Sequence, residues 1–410
     1  MRCRHCAADL TLQMVDLGAS PPSNAFNASQ DAREKHYPLR VLVCTNCWLV
    51  QTDITLFELD HDELFRADYP YFSSTSAGWV KHAKSFVDQV SKRFSLTENS
   101  MAVEIGANDG YLLQWFKTPC YGVEPTRTGE KAKEKGLRIY PQFFGAAWAE
   151  NAAYMEGVGS GKGNFVGMKA DLMVCNNVLA HVPDINDFVR GFAVLLKDDG
   201  VASFEFPHLL NLVQQGQFDT IYHEHYSYLS LTAVKRIFEA QGLHIFDVEK
   251  LPTHGGSLRV FTSKNPKHIE LAVQSLLDLE NSVGMQTAEF YTGFQEVTDR
   301  IKDDFVGFLL RAKQMQLSVA GFGAAAKGNT LLNYTGVRSD LLPYVVDDTP
   351  AKQGKFLPGS RIPVLAEFKG KPDYVVILPW NFRAEIMEKL DYIREWGGKF
   401  VVAIPKLEIL

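Results

Sequence analysis

Val103-Glu104-Ile105-Gly106-Ala107-Asn108-Asp109-Gly110-Tyr111-Leu112-Leu113 reads as a short apolar strand, a glycine-rich turn and the start of a helix. Glycines placed where a strand stops let the chain reverse tightly and let a ligand approach bare backbone. About twenty residues on, the run Tyr121-Gly122-Val123 ends in Glu124-Pro125, where a carboxylate can accept both hydroxyls of a ribose, the usual anchor in doubly wound folds. The three glycines of a dinucleotide turn, G-x-G-x-x-G, are not there. The turn leaves open another nucleotide or a bare structural reversal; if it holds a cofactor, the candidates are Glu104, Gly106, Ala107, Asn108, Asp109, Gly110, Glu124 and Pro125.

Working outward, strand-like runs at Leu172–Cys175 and Ala202–Phe206 alternate with helical patterns, as in an α/β domain on a parallel sheet. The alternation returns after Leu317, with runs at Tyr344–Val346, Asp373–Leu378 and Phe400–Ile404, so a second Rossmann-like α/β unit is expected. Between the two, Phe290, Phe294, Val297, Ile301, Phe305 and Phe308 recur three or four apart and predict a helix that is core or a brace between domains. The stretch GVGSGKGN (157–164) reads as surface loop.

Four of the six cysteines form two pairs, Cys3/Cys6 and Cys44/Cys47. Each Cys-x-x-Cys sets two thiols on one tight turn, and two such turns make a closed tetrahedral site for structural zinc. The stretch YPLRVLVCTNCWLVQTD reads as strands of a zinc ribbon with too few apolar residues to fold without metal. Cys120 and Cys175, in or beside apolar runs, read as buried core thiols. The expected division is a zinc-binding module over 1–68, a cofactor domain over 69–248 and a Rossmann-like domain over 249–410.

With 410 residues, the chain exceeds one comfortable core. Its apolar fraction of 46% and charged fraction of 22% are those of an ordinary globular protein. A net charge of -6 with mixed signs argues against a nucleic-acid partner. No apolar run approaches the roughly 18 residues a membrane helix needs, and MRCRHCAADL lacks a signal peptide's apolar core, so a cytoplasmic protein is expected.

Ionisable side chains crowd into Tyr222-His223-Glu224-His225-Tyr226. On an extended segment Tyr222, Glu224 and Tyr226 would share a face against His223 and His225. On a turn or helix, Tyr222 and His225 meet instead. The run is open to three readings: a polar interdomain surface, a general base with tuning neighbours, or a zinc site of His and Glu with no third ligand evident. Late in the chain, Gly321-Phe322-Gly323-Ala324-Ala325-Ala326 satisfies G-x-G-x-x-A, with Asp347 about twenty residues beyond; read bare, this is a dinucleotide fingerprint that implies NAD(P).

The pattern E-x-G-x-N-x-G followed by Glu124 resembles the S-adenosylmethionine (SAM) motif of class I methyltransferases, and DLMVCNNVLAHVP (171–183) resembles the fourth-strand motif of that class, whose Asn176 and Asn177 would face the cofactor. The Cys pairs, LGASPPSNAF, VEIGANDGYLL, Asn177 to Pro183, FDTIYHEHYSYLS, HGGSLRVF and GFGAAAKGN occur in the order seen in nucleotide-sugar C-methyltransferases, and the chain resembles that family over nearly its whole length. The resemblance implies methylation of C3 of a dTDP-linked 4-keto-deoxysugar, with SAM and structural zinc as cofactors. It implies that His225 is the base with Tyr222 and Glu224 as partners, and that His181 and Tyr71 line the same cleft. It also implies that the late turn grips the nucleotide diphosphate through Gly321, Gly323, Lys327, Lys352 and Asn381, while a bifunctional enzyme that also reduces the ketone with NAD(P) stays open. A monomer or weak homo-oligomer is expected. His223 before Glu224, and the Leu-Ala of VLAHVP, depart from the family pattern.

Overall fold

The computed structural model describes residues 1–53, 64, 72–154 and 169–410. Tyr71 and the loop expected over 157–164 lie outside the described residues. Three antiparallel strands open the chain: β1 (Leu12–Ser20), β2 (Tyr37–Val43) and β3 (Val50–Thr52). Cys44 and Cys47 occupy the tight connection between β2 and β3, and Cys3 and Cys6 lie on a turn ahead of β1, which is the ribbon arrangement the spacing predicts.

The central sheet takes β4 (Ala102–Ile105), β5 (Cys120–Val123), β6 (Ile139–Tyr140), β7 (Ala170–Asn176) and β8 (Leu196–Pro207), all parallel. The two-residue β9 (Ser227–Tyr228) leaves this sheet and pairs antiparallel with β3 of the first. Then β10 (His244–Leu251) and β11 (Ser257–Ser263) return, giving the order β10-β11-β8-β7-β4-β5-β6 with β11 antiparallel to both neighbours. The central sheet thus takes in residues beyond 248. The third sheet, β12 (Val319–Phe322), β13 (Val345–Val346), β14 (Val364–Leu365), β15 (Tyr374–Ile377), β16 (Lys399–Val402) and β17 (Glu408–Ile409), has the order β14-β13-β12-β15-β16-β17. It is parallel except for β17, so both α/β units appear as the hydrophobic runs predict.

The phenylalanine stripe lies on the helix Phe294–Gln314, which buries Phe294, Ile301, Phe305 and Phe308. Those rings share one core with Val15 and Val41 of the first sheet and with Phe322 and Val376 of the third, so the helix is the brace between them. The central sheet keeps its own core around Cys175, Phe192, Phe204 and Phe238. Just after β9, the buried Glu280 carboxylate accepts hydrogen bonds from Leu231 N (2.7 Å), Thr232 N (2.8 Å) and the Thr232 hydroxyl (2.6 Å). It thereby satisfies backbone donors at the start of the helix Leu231–Ala240, which would otherwise be orphaned in a dry interior. Among the described residues, no helix is long and apolar enough to cross a membrane.

Candidate active site

The carboxyl ends of the parallel strands, where open α/β sheets bind ligands, face a cleft of about 520 Å³ with walls from all three sheets' units. Its first wall is the glycine-rich turn. Gly106 sits at φ +74°, and a Cβ there would lie 2.3 Å from Val178 Cγ2, so only glycine fits. Glu124 follows β5, and its Oε2 accepts from Asn108 N at 2.9 Å while Oε1 accepts from Thr126 N (2.8 Å) and the Thr126 hydroxyl (2.6 Å). Burial pushes this carboxyl up despite those bonds. Asn108 Oδ1 accepts from Ser73 N at 2.9 Å, and Asp109 accepts from Ser74, which ties the turn to the segment ahead of the helix Ala77–Arg93.

Gly106, Asn108, Glu124, Pro125, Asn176 and Asn177 line the cleft. Glu104, Ala107, Asp109 and Gly110 stand behind it and shape the turn; Glu104 is fully buried, and burial raises its carboxyl far above the ordinary range. Both amide atoms of Asn176 and the Oδ1 of Asn177 are buried with no hydrogen-bond partner among the described residues. Such atoms are costly unless a ligand completes them. The orphaned amides together with the Gly106 cradle therefore fit a nucleoside-bearing cofactor.

The second wall is the Tyr222–Tyr226 run, and it is a turn. His225 N donates to Tyr222 O at 2.9 Å, and the two rings lie 4.0 Å apart, so the pairing expected of a turn is the one realised. The His225 Nδ1–H donates to the Thr220 carbonyl at 2.8 Å. A carbonyl can only accept, so the neutral ring carries its proton on Nδ1 and leaves Nε2 as a base. Burial, helped by the nearby His181, holds His225 well below the ordinary imidazole range and keeps it neutral. The His181 ring lies 4.6 Å from His225, its Nδ1–H bonded to Glu224 O at 2.8 Å.

The Glu224 carboxyl does not reach the His225 ring. It accepts from Asn24 Nδ2 (3.0 Å) and Asn24 N (3.2 Å), and burial pushes it up to about 6. His223 turns away to the Tyr37 carbonyl (3.2 Å), pushed down to about 4 by burial. Sequence periodicity carries no information on these choices, because Thr220 and Asn24 are selected by the tertiary fold.

The third wall comes from the late unit. Lys327, in the first turn of the helix Ala326–Thr335, holds its ammonium 4.7 Å over the Trp380 ring; burial lowers its affinity for a proton and Asp219 restores part of it. Lys352 Nζ donates to Ala324 O (3.0 Å) and Asp347 Oδ2 (3.3 Å), and Asn381 Oδ1 is buried and unbonded among the described residues. Lys327, Lys352 and Asn381 line the cleft, whereas Gly321 and Gly323 do not. A Cβ on Gly323 would lie 2.4 Å from Pro379 Cδ and one on Gly321 2.8 Å from Val345 Cγ2, so these glycines serve close packing of the chain on itself.

His254 also lines the cleft although the sequence reading gave it no role. It adopts φ 53°, its ring is 5.1 Å from that of Trp79, and burial with Lys327 nearby pushes it down to about 4. The flanking Gly255 and Gly256, both at positive φ, were the available signal.

Away from the cleft, the sulfurs of Cys3, Cys6, Cys44 and Cys47 all lie within 4.8 Å of one another. Gln51 Nε2 donates to Cys3 Sγ (3.3 Å) and Cys47 N to Cys44 Sγ (3.5 Å), the support a four-thiolate zinc site uses. Cys175 is buried in β7, as expected, and Cys120 is partly buried.

Comparison with known proteins supplies the rest. Residues 252–405 match a family model described as a C-methyltransferase C-terminal domain, 79–248 one described as a methyltransferase domain, and 3–65 one described as "Putative zinc binding domain". C-methyltransferase NovU of Streptomyces niveus is 33% identical over 419 residues, which cover 100% of this chain and 96% of that protein. Among solved structures, an S-adenosylmethionine-dependent methyltransferase from Clostridium acetobutylicum aligns at 15% identity and a TM-score of 0.34, covering 51% of this chain and 98% of its own. Magnesium protoporphyrin IX methyltransferase from Synechocystis PCC 6803, with bound SAH, aligns at 16% identity and a TM-score of 0.33, covering 46% and 84%.

Proposed function

The chain belongs to the C-methyltransferase family, and from that premise we propose that it methylates the carbon beside the keto group of a nucleotide-linked 4-keto-deoxysugar, with His225 as the base. It is a SAM-dependent enzyme of the class I methyltransferase fold with structural zinc. SAM supplies an electrophilic methyl group on a sulfonium sulfur. The residues suited to holding it are Gly106, Asn108, Glu124, Asn176 and Asn177. Replacing Gly106 by Ala should weaken SAM binding at least about tenfold, or 1.4 kcal/mol, because the new Cβ meets Val178 at 2.3 Å. Calorimetry decides; unchanged affinity would remove the turn from the cofactor site.

One observation carries the base assignment: in a residue that lines the cleft, the Nδ1–H of His225 is committed to Thr220 O, which supports Nε2 as the proton acceptor. His225 Nε2 would take the C3 proton and the C–H electrons would pass into the enolate, leaving a nucleophilic carbon for the electrophilic methyl group that SAM, held by the Gly106 turn, Glu124 and the Asn176 pair, would supply. Enolate formation needs a donor at the ketone oxygen. Tyr222, whose ring lies 4.0 Å from that of the base, suits that role, and His181 stands beside it with its ring 4.6 Å from His225. The imidazolium formed sits in a buried site that disfavours charge, so it returns its proton to water readily. Glu224 acts by holding Asn24 and the backbone of the turn in place. We carry Tyr71 as a further cleft residue on the family resemblance.

Lys327, Lys352 and Asn381 suit the phosphates and sugar of the acceptor, with the late turn's packing left to Gly321 and Gly323. The space at Gly323 closed by Pro379, and Asp347 bonded to Ala324 N (2.7 Å) and Lys352, weigh against an NAD(P) site there. The division into three domains is carried forward in the same way, with the boundary expected at 248 moved past β11 because that strand lies in the central sheet, as are a monomeric or weakly associating state and the absence of a nucleic-acid partner.

The test is incubation with methyl-labelled SAM and a panel of nucleotide 4-keto-deoxysugars in deuterated water. The expected product bears a base-stable methyl label and has lost the hydrogen at the carbon beside the ketone, and unreacted acceptor shows deuterium incorporation at that carbon. A base-labile label, or methylation with that hydrogen retained, would overturn the carbon-methylation mechanism.

A further inference from the structure

The Cys3-x-x-Cys6 turn does more than close a metal site, because Arg4, one of the two residues between its cysteines, reaches the proposed catalytic run. Arg4 Nη1 donates to Thr52 O at 2.7 Å and to Tyr226 O at 3.1 Å, and its guanidinium lies 5.2 Å over the Tyr226 ring. The backbone on either side is held from the metal turn as well: Arg4 N donates to Gln51 Oε1 (2.9 Å), and the same Gln51 amide donates to Cys3 Sγ (3.3 Å). Thr52 N in turn donates to Tyr226 O at 3.1 Å, and β3 pairs with β9 immediately beyond.

A second contact set reaches the neighbouring His181 segment of the cleft wall. Asn186, near the start of the helix Ile185–Leu195, bonds His5 Nδ1 through Oδ1 (2.8 Å) and donates from Nδ2 to His5 O (2.9 Å). The residues just ahead of that helix, Ala180 to Asp184, line the cleft, and Ala180 O accepts from Tyr226 N at 2.8 Å. The metal turn therefore grips both the His181 segment and the His225 segment, whose rings lie 4.6 Å apart.

We propose that Arg4 is a positioning residue: through its paired bonds to Thr52 O and Tyr226 O, the four-cysteine turn sets the register of the Tyr222–Tyr228 segment and so the aim of His225. Both bonds leave one terminal nitrogen, Nη1, whose two N–H groups are fixed in the guanidinium plane; a glutamine amide is too short to bring its NH2 to the same point, and an ammonium holds two carbonyls with less geometric definition. A base displaced by about 1 Å loses roughly a hundredfold in rate even when both reactants still bind. The inference rests on the His225 reading for its kinetic arm only.

The test uses the full-length zinc-loaded protein carrying Arg4→Gln, with Arg4→Lys as the milder second variant. Hydrogen–deuterium exchange over 222–228 should speed up at least about tenfold in Arg4→Gln, with one zinc per chain retained and SAM affinity within about twofold of wild type. With the acceptor sugar, kcat should fall between about tenfold and a hundredfold while KM changes little, and Arg4→Lys should recover part of the loss. Unchanged exchange over 222–228 overturns the proposal. A fall in SAM binding equal to the fall in kcat overturns it too, by showing general loosening. If Arg4→Gln does not fold, the same readouts on Arg4→Lys decide, with a smaller expected change. The exchange and SAM arms need no acceptor, so a wrong sugar assignment leaves them standing.

Discussion

His225→Asn should abolish methyl transfer, lowering kcat by about a thousandfold or more, within the range assigned to a positioned general base, while SAM affinity should stay within about twofold. The side-chain amide can still donate to Thr220 O, whose bond to the native ring is 2.8 Å, but it offers the cleft no atom that takes a proton. SAM affinity is spared because the Gly106 turn, Glu124 and the Asn176 pair stand on other strands. The pH profile has a definite sign. Burial and His181 hold the imidazole well below its ordinary value, so the active neutral form persists as pH falls past about 6.5. The acidic limb of kcat should therefore lie clearly below pH 6.5, and a limb at or above it, or a variant with near-native turnover, would remove His225 as the base.

Cys3→Ser with Cys44→Ser should cost metal and soluble protein together. Each pair loses one sulfur from a cluster whose members lie within 4.8 Å, and two remaining thiolates cannot make a tetrahedral closed site. Apparent binding energies for structural zinc, about 10–16 kcal/mol, exceed the whole stability of many domains. The first sheet cannot replace that from its own apolar residues, because β3 has three residues and the core it shares depends on the distant helix Phe294–Gln314. Metal analysis and the soluble yield check the expectation; a soluble, folded, zinc-free variant would show the site to be dispensable.

Features with local causes were legible in the sequence. The Gly106 turn needs a positive φ that the glycine announces, and the Cys-x-x-Cys pairs state their ligand set by spacing alone. Both α/β units followed from alternating apolar runs. What was not legible depends on remote partners. Whether the Tyr222 ring meets that of His225 is decided by the Thr220 carbonyl and by Asn24 bonded to Glu224. The G-x-G-x-x-A match says nothing of Pro379 and Val345, which pack where a Cβ on Gly323 or Gly321 would lie, so the close packing at these glycines was not legible in it. His254 escaped notice because a lone histidine before two glycines has no periodicity, and β11 fell past the expected boundary because a reversed strand slots between two others already placed.

The pairing of β3 with β9 has a consequence for biosynthesis on the ribosome. The ribbon of β1 to β3 is translated ahead of the central sheet, yet the strand that covers its outer edge is made only after the central sheet's parallel strands have emerged. Until then the nascent chain carries an uncapped β edge of the kind that recruits other chains. Early capture of the ion would hold that edge in a fixed shape while it waits, so the order of synthesis favours a cell with ready zinc over one where the metal arrives late.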